Sequence, residues 1–429
     1  MSFIRTLHTL CNILKVMYTM HDYNKVALKA CESGHLDILI SMINNGANDY
    51  ESFAIAAAKH GYNEIVNYLI DNYDGIDLNK VASSAAKYGR ELVLANTLSR
   101  GVNDYNSIAL GTAEGGYLIL LTYILSITPC DYEDIVITAS KNGHLKIVEF
   151  MIVNYDLQSI YDDIAYAAAI GGYLNIIDYM LRKGVTNYNI IANGAAYSGH
   201  EEILNNMLNR GANDYLFITA SAASGGHMQI VINLINKYNL TTVYDLNLFA
   251  INAASNGYRD LLNYLINLGA NNYSNIAVSA ASNGYTEIVL EMISKGVTNY
   301  YTIAINAAKY NHYNVVDELI KRGLINNEKL AEYAVVNSEL ELLIKLIKNI
   351  KNLSTIINLA VNNEELPIIT YLINSNITTA NKIASLALEY NNISLLEYIL
   401  NNYKVNKNSL LNKSKNLGNR NAINTLLKH

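Results

Sequence analysis

Residues 49–72 read DYESFAIAAAKHGYNEIVNYLIDN, and the return of this stretch along the chain decides the fold. At its centre lies the phrase Ala-Ala-x-x-Gly-Tyr/His. The anchor glycine stands at Gly34, Gly61, Gly89, Gly116, Gly143, Gly172, Gly199, Gly226, Gly257 and Gly284. The same frame continues through Asn311, Ser338, Glu364, Asn391 and Gly418, at a usual spacing of 27 residues. A fixed period of this size is the signature of a solenoid, in which each unit packs only on its neighbours.

Within the quoted unit, Asp49 suits a helix N-cap, because its carboxylate accepts from the first free backbone N–H groups. Asp104, Asp131 and Asp214 stand in the same register. Tyr50 opens a first helix whose Phe53, Ala54, Ala57 and Ala58 share one face, and the alanines permit close helix approach. Gly61 follows where the helix ends at positive φ. A second helix over 63–72 carries the apolar stripe Ile65, Val66, Leu69 and Ile70. In many units another glycine, twelve residues after the anchor, closes it: Gly46, Gly101, Gly184, Gly211, Gly269, Gly296 and Gly323. No strand-like alternation runs at length. The expected fold is all-α, an elongated solenoid of about 15 stacked helical hairpins. Its parts are an N-terminal capping helix (1–22), the repeat array (23–403) and a C-terminal capping repeat (404–429), where Ser414 and Lys415 replace the alanine pair.

Composition narrows the function. Hydrophobic residues make up 51% of the 429, enough for a dry core, and charged residues only 16%. A net charge of −6 gives no electrostatic reason to bind nucleic acid, so none is expected as a partner. No apolar run approaches the length of a membrane span, and no membrane partner is expected. The start carries Arg5, but His8 and Lys15 break up any leader-like apolar core there. Cys11, Cys31 and Cys130 show no metal or disulfide spacing and read as reduced thiols of a cytoplasmic protein. The abundance of Asn, Ile, Lys and Tyr points to an AT-rich genome.

The strings AAKHGYNEIVNYLI (57–70), ASKNGHLKIVEFMI (139–152) and AASNGYTEIVLEMISKG (280–296) resemble the ankyrin repeat, and the resemblance covers nearly the whole chain. GAND at 46–49 and 211–214 is similar to that family's turn segment. Two departures stand out. The family's repeats run 33 residues, and its Thr-Pro-Leu-His phrase is replaced here by Ser52-Phe53-Ala54-Ile55 and Asn275-Ile276-Ala277-Val278. The six missing residues fall where the family has its β-hairpin finger, so the fingers are expected to be reduced. Short, Asn- and Tyr-rich, proline-poor repeats of this kind are similar to those of giant DNA viruses. The resemblance implies a viral scaffold that binds host proteins in the host-cell cytoplasm. It leaves open a substrate adaptor of a ubiquitin ligase or a virion structural protein.

Several features repeat in register. Eleven residues before the anchor stands a tyrosine ladder: Tyr23, Tyr50, Tyr105, Tyr132, Tyr161, Tyr188, Tyr215, Tyr273 and Tyr300. Packing into the space of the missing finger accounts for it better than binding, since Leu78 and Leu246 also fill the position. The residue after the anchor alternates between His (35, 144, 200, 227) and Tyr (62, 117, 173, 258, 285). Tyrosine does not replace histidine on zinc at equal geometry, so a structural bridge is expected and a metal site is not. Gly115-Gly116 and Gly171-Gly172 lack the Lys-Ser/Thr of a phosphate loop.

No catalytic pair stands outside the repeat pattern, so no enzyme and no cofactor are expected. Contact with a protein partner is expected in two places. Ile170 and Tyr197, two residues before their anchors, lie on the face that lines the concave groove in typical ankyrin domains. The long intervals of 28, 29 and 31 residues recur every third repeat and place Asp74, Gln158, Tyr238 and Tyr244 in segments expected to project. A monomer is expected.

Overall fold

The computed structural model describes residues 20–429, and among them every regular element is helical. The N-terminal capping helix expected over 1–22 lies, up to residue 19, outside the described residues. From there the chain is a succession of helical hairpins. Tyr50–His60 is followed by Asn63–Asn72, Leu78–Lys87 by Glu91–Ser99, and Tyr105–Gly115 by Leu118–Ile127. The pattern closes with Lys407–Asn416 and Arg420–Lys428. The hairpins gather into two compact units, the first running to Ala222 and the second from Ala223.

The local reasons are those of the sequence. The Asp49 carboxylate accepts from the Ser52 N–H at 3.3 Å, Asp104 from Ser107 at 3.0 Å and Asp131 from Asp134 at 3.2 Å. Each satisfies a helix-end donor that no backbone carbonyl reaches. At the other end, Gly61 sits at φ +86° and the Tyr62 N–H turns back to the Ala57 carbonyl at 2.9 Å. Ala54, Ala57 and Ala58 are wholly buried, as are Val66 and Leu69 on the second helix. Within each unit, first helices pack directly on first helices, and second helices form a looser layer behind them. The tight layer depends on small side chains. A methyl group on Gly111 would stand 2.6 Å from the Ser83 carbonyl oxygen of the preceding first helix.

Three expectations are refined. None of the ladder tyrosines is exposed. Tyr23 is buried and the others are half-buried, as the packing reading requires. Of the pair Ser414 and Lys415 in the last repeat, only Lys415 faces out. Ser414 is buried and its hydroxyl donates to the Leu411 carbonyl at 2.9 Å.

The third refinement concerns the long intervals, which do not all project as loops. The first leaves its helix through extended backbone at Tyr73 and re-enters at the Asp77 cap, with Asp74 exposed between. The second folds into a 3-10 turn, Gln158–Ile160, pinned by buried Leu157 and Ile160. The third is largely absorbed into helix. Thr242 and Asp245 form a capping box that starts the helix Val243–Ser255 before Leu246, the register position of the ladder.

Candidate binding surface

Two ladders run between successive repeats and determine which positions are left for a partner. The first uses the residue after the anchor. His144 Nε2 donates to the Glu114 carbonyl at 2.9 Å, His200 Nε2 to the Ile170 carbonyl at 3.1 Å, and Arg90 Nε to the Lys59 carbonyl at 3.0 Å. Each acceptor lies two residues before the preceding anchor. Where tyrosine holds the position, its ring lies on the preceding anchor glycine. A methyl group on Gly34 would sit 2.5 Å from Cε1 of Tyr62. The anchors are thus constrained twice, by positive φ and by the covering side chain.

Where glycine is lost, the chemistry of the contact changes. Ser338 and Asn391 adopt φ of +61° and +54° without being glycine. There the ring is replaced by a side-chain hydrogen bond: Ser338 Oγ donates to Glu365 Oε1 at 2.7 Å, and Asn419 Nδ2 to Asn391 Oδ1 at 2.8 Å. His, Arg, Tyr, Glu and Asn all fill one position, which is bridging and not metal ligation. No group of His, Cys, Asp or Glu suited to a metal ion occurs among the described residues.

The second ladder was not anticipated from sequence. The residue after the ladder position, whether tyrosine or leucine, is asparagine in five repeats (24, 79, 106, 189, 247), and its Oδ1 accepts from the turn of the following repeat. Asn24 receives the Asn48 N–H at 2.8 Å. Asn79 receives Asp104 at 3.0 Å, Asn189 receives Asn213 at 2.8 Å and Asp214 at 3.0 Å, and Asn247 receives Asn271 at 2.8 Å. These amides tie down the reduced turns in the place of the missing finger.

The six residues expected to contact a partner are placed as follows. Ile170 is half-buried on the first-helix face, its carbonyl held by His200. Tyr197, one repeat on, is 45% exposed. The serines that follow in register are engaged internally: Ser255 Oγ meets Ser279 Oγ at 2.5 Å, and Ser282 Oγ donates to the Val278 carbonyl at 3.0 Å. Farther toward the start the same face carries the ion pair Lys87–Glu114 at 2.5 Å, whose carboxylate holds the Lys87 ammonium above its ordinary pKa. Asp74 and Gln158 are exposed, Tyr244 is 70% exposed, and Tyr238 is half-buried. Within the first unit Ile170 and Tyr197 are register neighbours, and Asp74 and Gln158 stand in different repeats; Tyr238 and Tyr244 belong to the second unit.

The chain's similarities are to repeat proteins. A family model for ankyrin repeats, in three copies, matches residues 250–330. No curated protein matches the sequence. Among solved structures, the pentatricopeptide repeat protein PPR10 from maize is similar at 11% identity and TM-score 0.28, over 98% of this chain and 80% of that one. PPR10 in complex with an 18-nt psaJ RNA element is similar at 13% identity and TM-score 0.31, over 97% and 76%. A circular tandem repeat protein with novel repeat topology is similar at 15% identity and TM-score 0.12, over 97% and 94%. The RNA complex corrects the exclusion of nucleic acid drawn from composition. A helical-repeat protein with RNA bound is among the chains this one is similar to, and a net charge summed over the whole chain describes no single face.

Proposed function

We propose that this chain is a protein-binding scaffold, engaging its partner through the first-helix face around Ile170 and Tyr197, with Asp74, Gln158, Tyr238 and Tyr244 as outlying contacts. Ankyrin and helical repeats generally mediate protein interactions, and such scaffolds are typically non-catalytic. The observation that carries the reading is the division of labour within the repeat. The bridging residue after each anchor and the asparagine amide hold neighbouring repeats together, so the outward first-helix positions are free to vary from one repeat to the next. Tyr197 is the largest of them, an amphipathic aromatic of the type that dominates interface hot spots. In keeping with the viral resemblance of its repeats, we take the partner to be a protein of the host cell.

The test is affinity capture from cell lysate with the wild-type chain and with Ile170→Asp/Tyr197→Ala. A specific captured protein is expected to fall at least tenfold in the variant. Undiminished capture by that variant, and by one with Tyr244→Ala added, would place the contact elsewhere.

A further inference from the structure

The second-helix layer of the first unit carries a feature that this reading does not use. Across the repeats anchored at Gly61 and Gly89 its outward face is mostly polar, Leu92 being its large exposed apolar residue. Asn96 donates to Asn63 at 3.1 Å and also reaches Asn67, while Arg100 pairs with Asp71 at 2.5 Å. In the next repeat the polar pattern stops. Tyr123 stands in the register of Asn96 and Ile127 in that of Arg100, on the helix Leu118–Ile127, LILLTYILSI, which has no charged residue. Ile119, Tyr123 and Ile127, four residues apart, form one ridge along it, 83%, 55% and 44% exposed.

Beside the ridge runs a groove of about 500 Å³ between the helices Glu91–Ser99 and Leu118–Ile127. Its walls include Leu94, Ala95, Leu98 and Leu120, together with Tyr123 and Ile127 of the ridge itself. An apolar ridge next to a mostly apolar groove, whose polar wall is Glu91 and Ser99, is self-complementary. About a two-fold axis, the ridge of each copy enters the groove of the other. The area is of the right size. Leu92, Ile119, Tyr123, Ile127 and Val153 are 44–83% exposed, which at roughly 100 Å² per side chain presents about 500 Å² of apolar surface. A standard interface removes roughly 800 Å² from each partner, about 65% of it apolar in homodimers.

We propose that this face is a self-association surface, and that what covers it is the same face of a second copy of this chain. The ridge of one copy lies against Leu94, Ala95 and Leu98 of the other, and the uncharged helix is removed from water in both. This holds whether or not the first-helix face binds a host protein, because the two surfaces belong to different helix layers.

Sedimentation velocity of the full chain from about 1 to about 100 µM spans the range in which a micromolar dimer dissociates. The wild type is expected to approach dimer mass at the upper end. Ile119→Lys/Tyr123→Ser is expected to raise the dissociation constant at least tenfold, and Ile127→Gln to raise it separately. Tyr310→Ser, 55% exposed like Tyr123 but in the other unit, is expected to leave it unchanged. These side chains are already in water, so the thermal melt of each monomer should match the wild type and report a folded variant. A monomer at every concentration, a ladder of larger species, or a dimer unmoved by both ridge variants overturns the proposal.

Discussion

His144 donates its Nε2–H to the backbone carbonyl of Glu114, 2.9 Å away in the preceding repeat. A carbonyl only accepts, so the proton is on Nε2. Arg90 makes the equivalent bond to Lys59, and tyrosine takes the position elsewhere by covering the glycine. What these residues share is reach and a flat polar end, not acid–base chemistry. His144→Tyr is therefore expected to keep stability within about 0.5 kcal/mol, while His144→Ala, which leaves the carbonyl and the Gly116 backbone uncovered, loses roughly 1–2 kcal/mol. Urea unfolding followed by circular dichroism distinguishes the two, and equal losses would mean that the bridge contributes nothing.

The same geometry makes two anchors respond to substitution very differently. Gly116 lies at φ +82°, and a methyl group there would stand 2.5 Å from His144 Nδ1. Gly116→Ala is expected to cost about 1 kcal/mol for the backbone and roughly 1–3 kcal/mol for overpacking. Asn311 adopts φ +64° with its side chain accommodated. Asn311→Gly removes the strain of a side chain at positive φ and raises the freedom of the unfolded chain, so a change within about 1 kcal/mol is expected. Urea midpoints of the two variants check the contrast; a comparable loss at Asn311 would show that its side chain supports the turn.

The hairpin, its caps and its buried faces were legible in sequence because each depends on spacing within one repeat. Asp49 with Ser52, and Ala57 with Tyr62, lie three and five residues apart. The asparagine ladder was not, because Asn189 and Asn213 are 24 residues apart and asparagine is common throughout the chain. A signal was nevertheless present: asparagine recurs one place after the ladder tyrosine at Asn24, Asn106 and Asn189. The long intervals were visible as lengths only. Tyrosine replaces the closing glycine at Tyr73, Tyr155 and Tyr238 in those same repeats, but whether the extra residues form a loop, a 3-10 turn or added helix depends on local capping, as at Thr242. The contact residues were the least legible, since they are the positions the repeat leaves unconstrained.

Asn189 offers a direct measure of the second ladder. Its Oδ1 is the acceptor for two backbone N–H groups, those of Asn213 and Asp214. Asn189→Ala is expected to cost about 1–3 kcal/mol if the donors become dry and less if water replaces the amide. Amide exchange of Asn213 and Asp214 should accelerate while that of residues within the helix Glu201–Arg210 holds. Unchanged exchange at both amides would show that the turn is held by other means.

Cys31 is wholly buried, and burial, with a smaller contribution from the Glu32 charge, pushes its thiol up to about 12. The thiolate is the reactive form. Cys130 is only half-buried, and burial raises its thiol as well. At pH 8, iodoacetamide is expected to modify Cys130 at least tenfold faster than Cys31, with Cys31 labelled only as urea unfolds the repeat. Peptide mass spectrometry separates the sites, and equal labelling in native buffer would mean that the first described hairpin opens readily.

Tyr73 stacks on Tyr50 with ring centres 4.0 Å apart, and its hydroxyl meets that of Tyr68 at 3.3 Å. The hydrogen bond, followed by burial, pushes its phenol up to about 12. The neutral form is the one the fold holds. Its contribution to stability is therefore fully present below the ordinary tyrosine value of about 10 and is lost as pH rises through about 12. In the wild type the phenolate absorbance of this residue is expected to appear only near pH 12. Tyr73→Phe keeps the stacked ring, removes the hydroxyl pair and should delete that late step from the titration. It should also make stability less dependent on pH between about 10 and about 12. The difference between wild-type and variant titrations isolates this group from the other tyrosines, and a difference centred near 10 would show that the Tyr68 hydroxyl does not hold it.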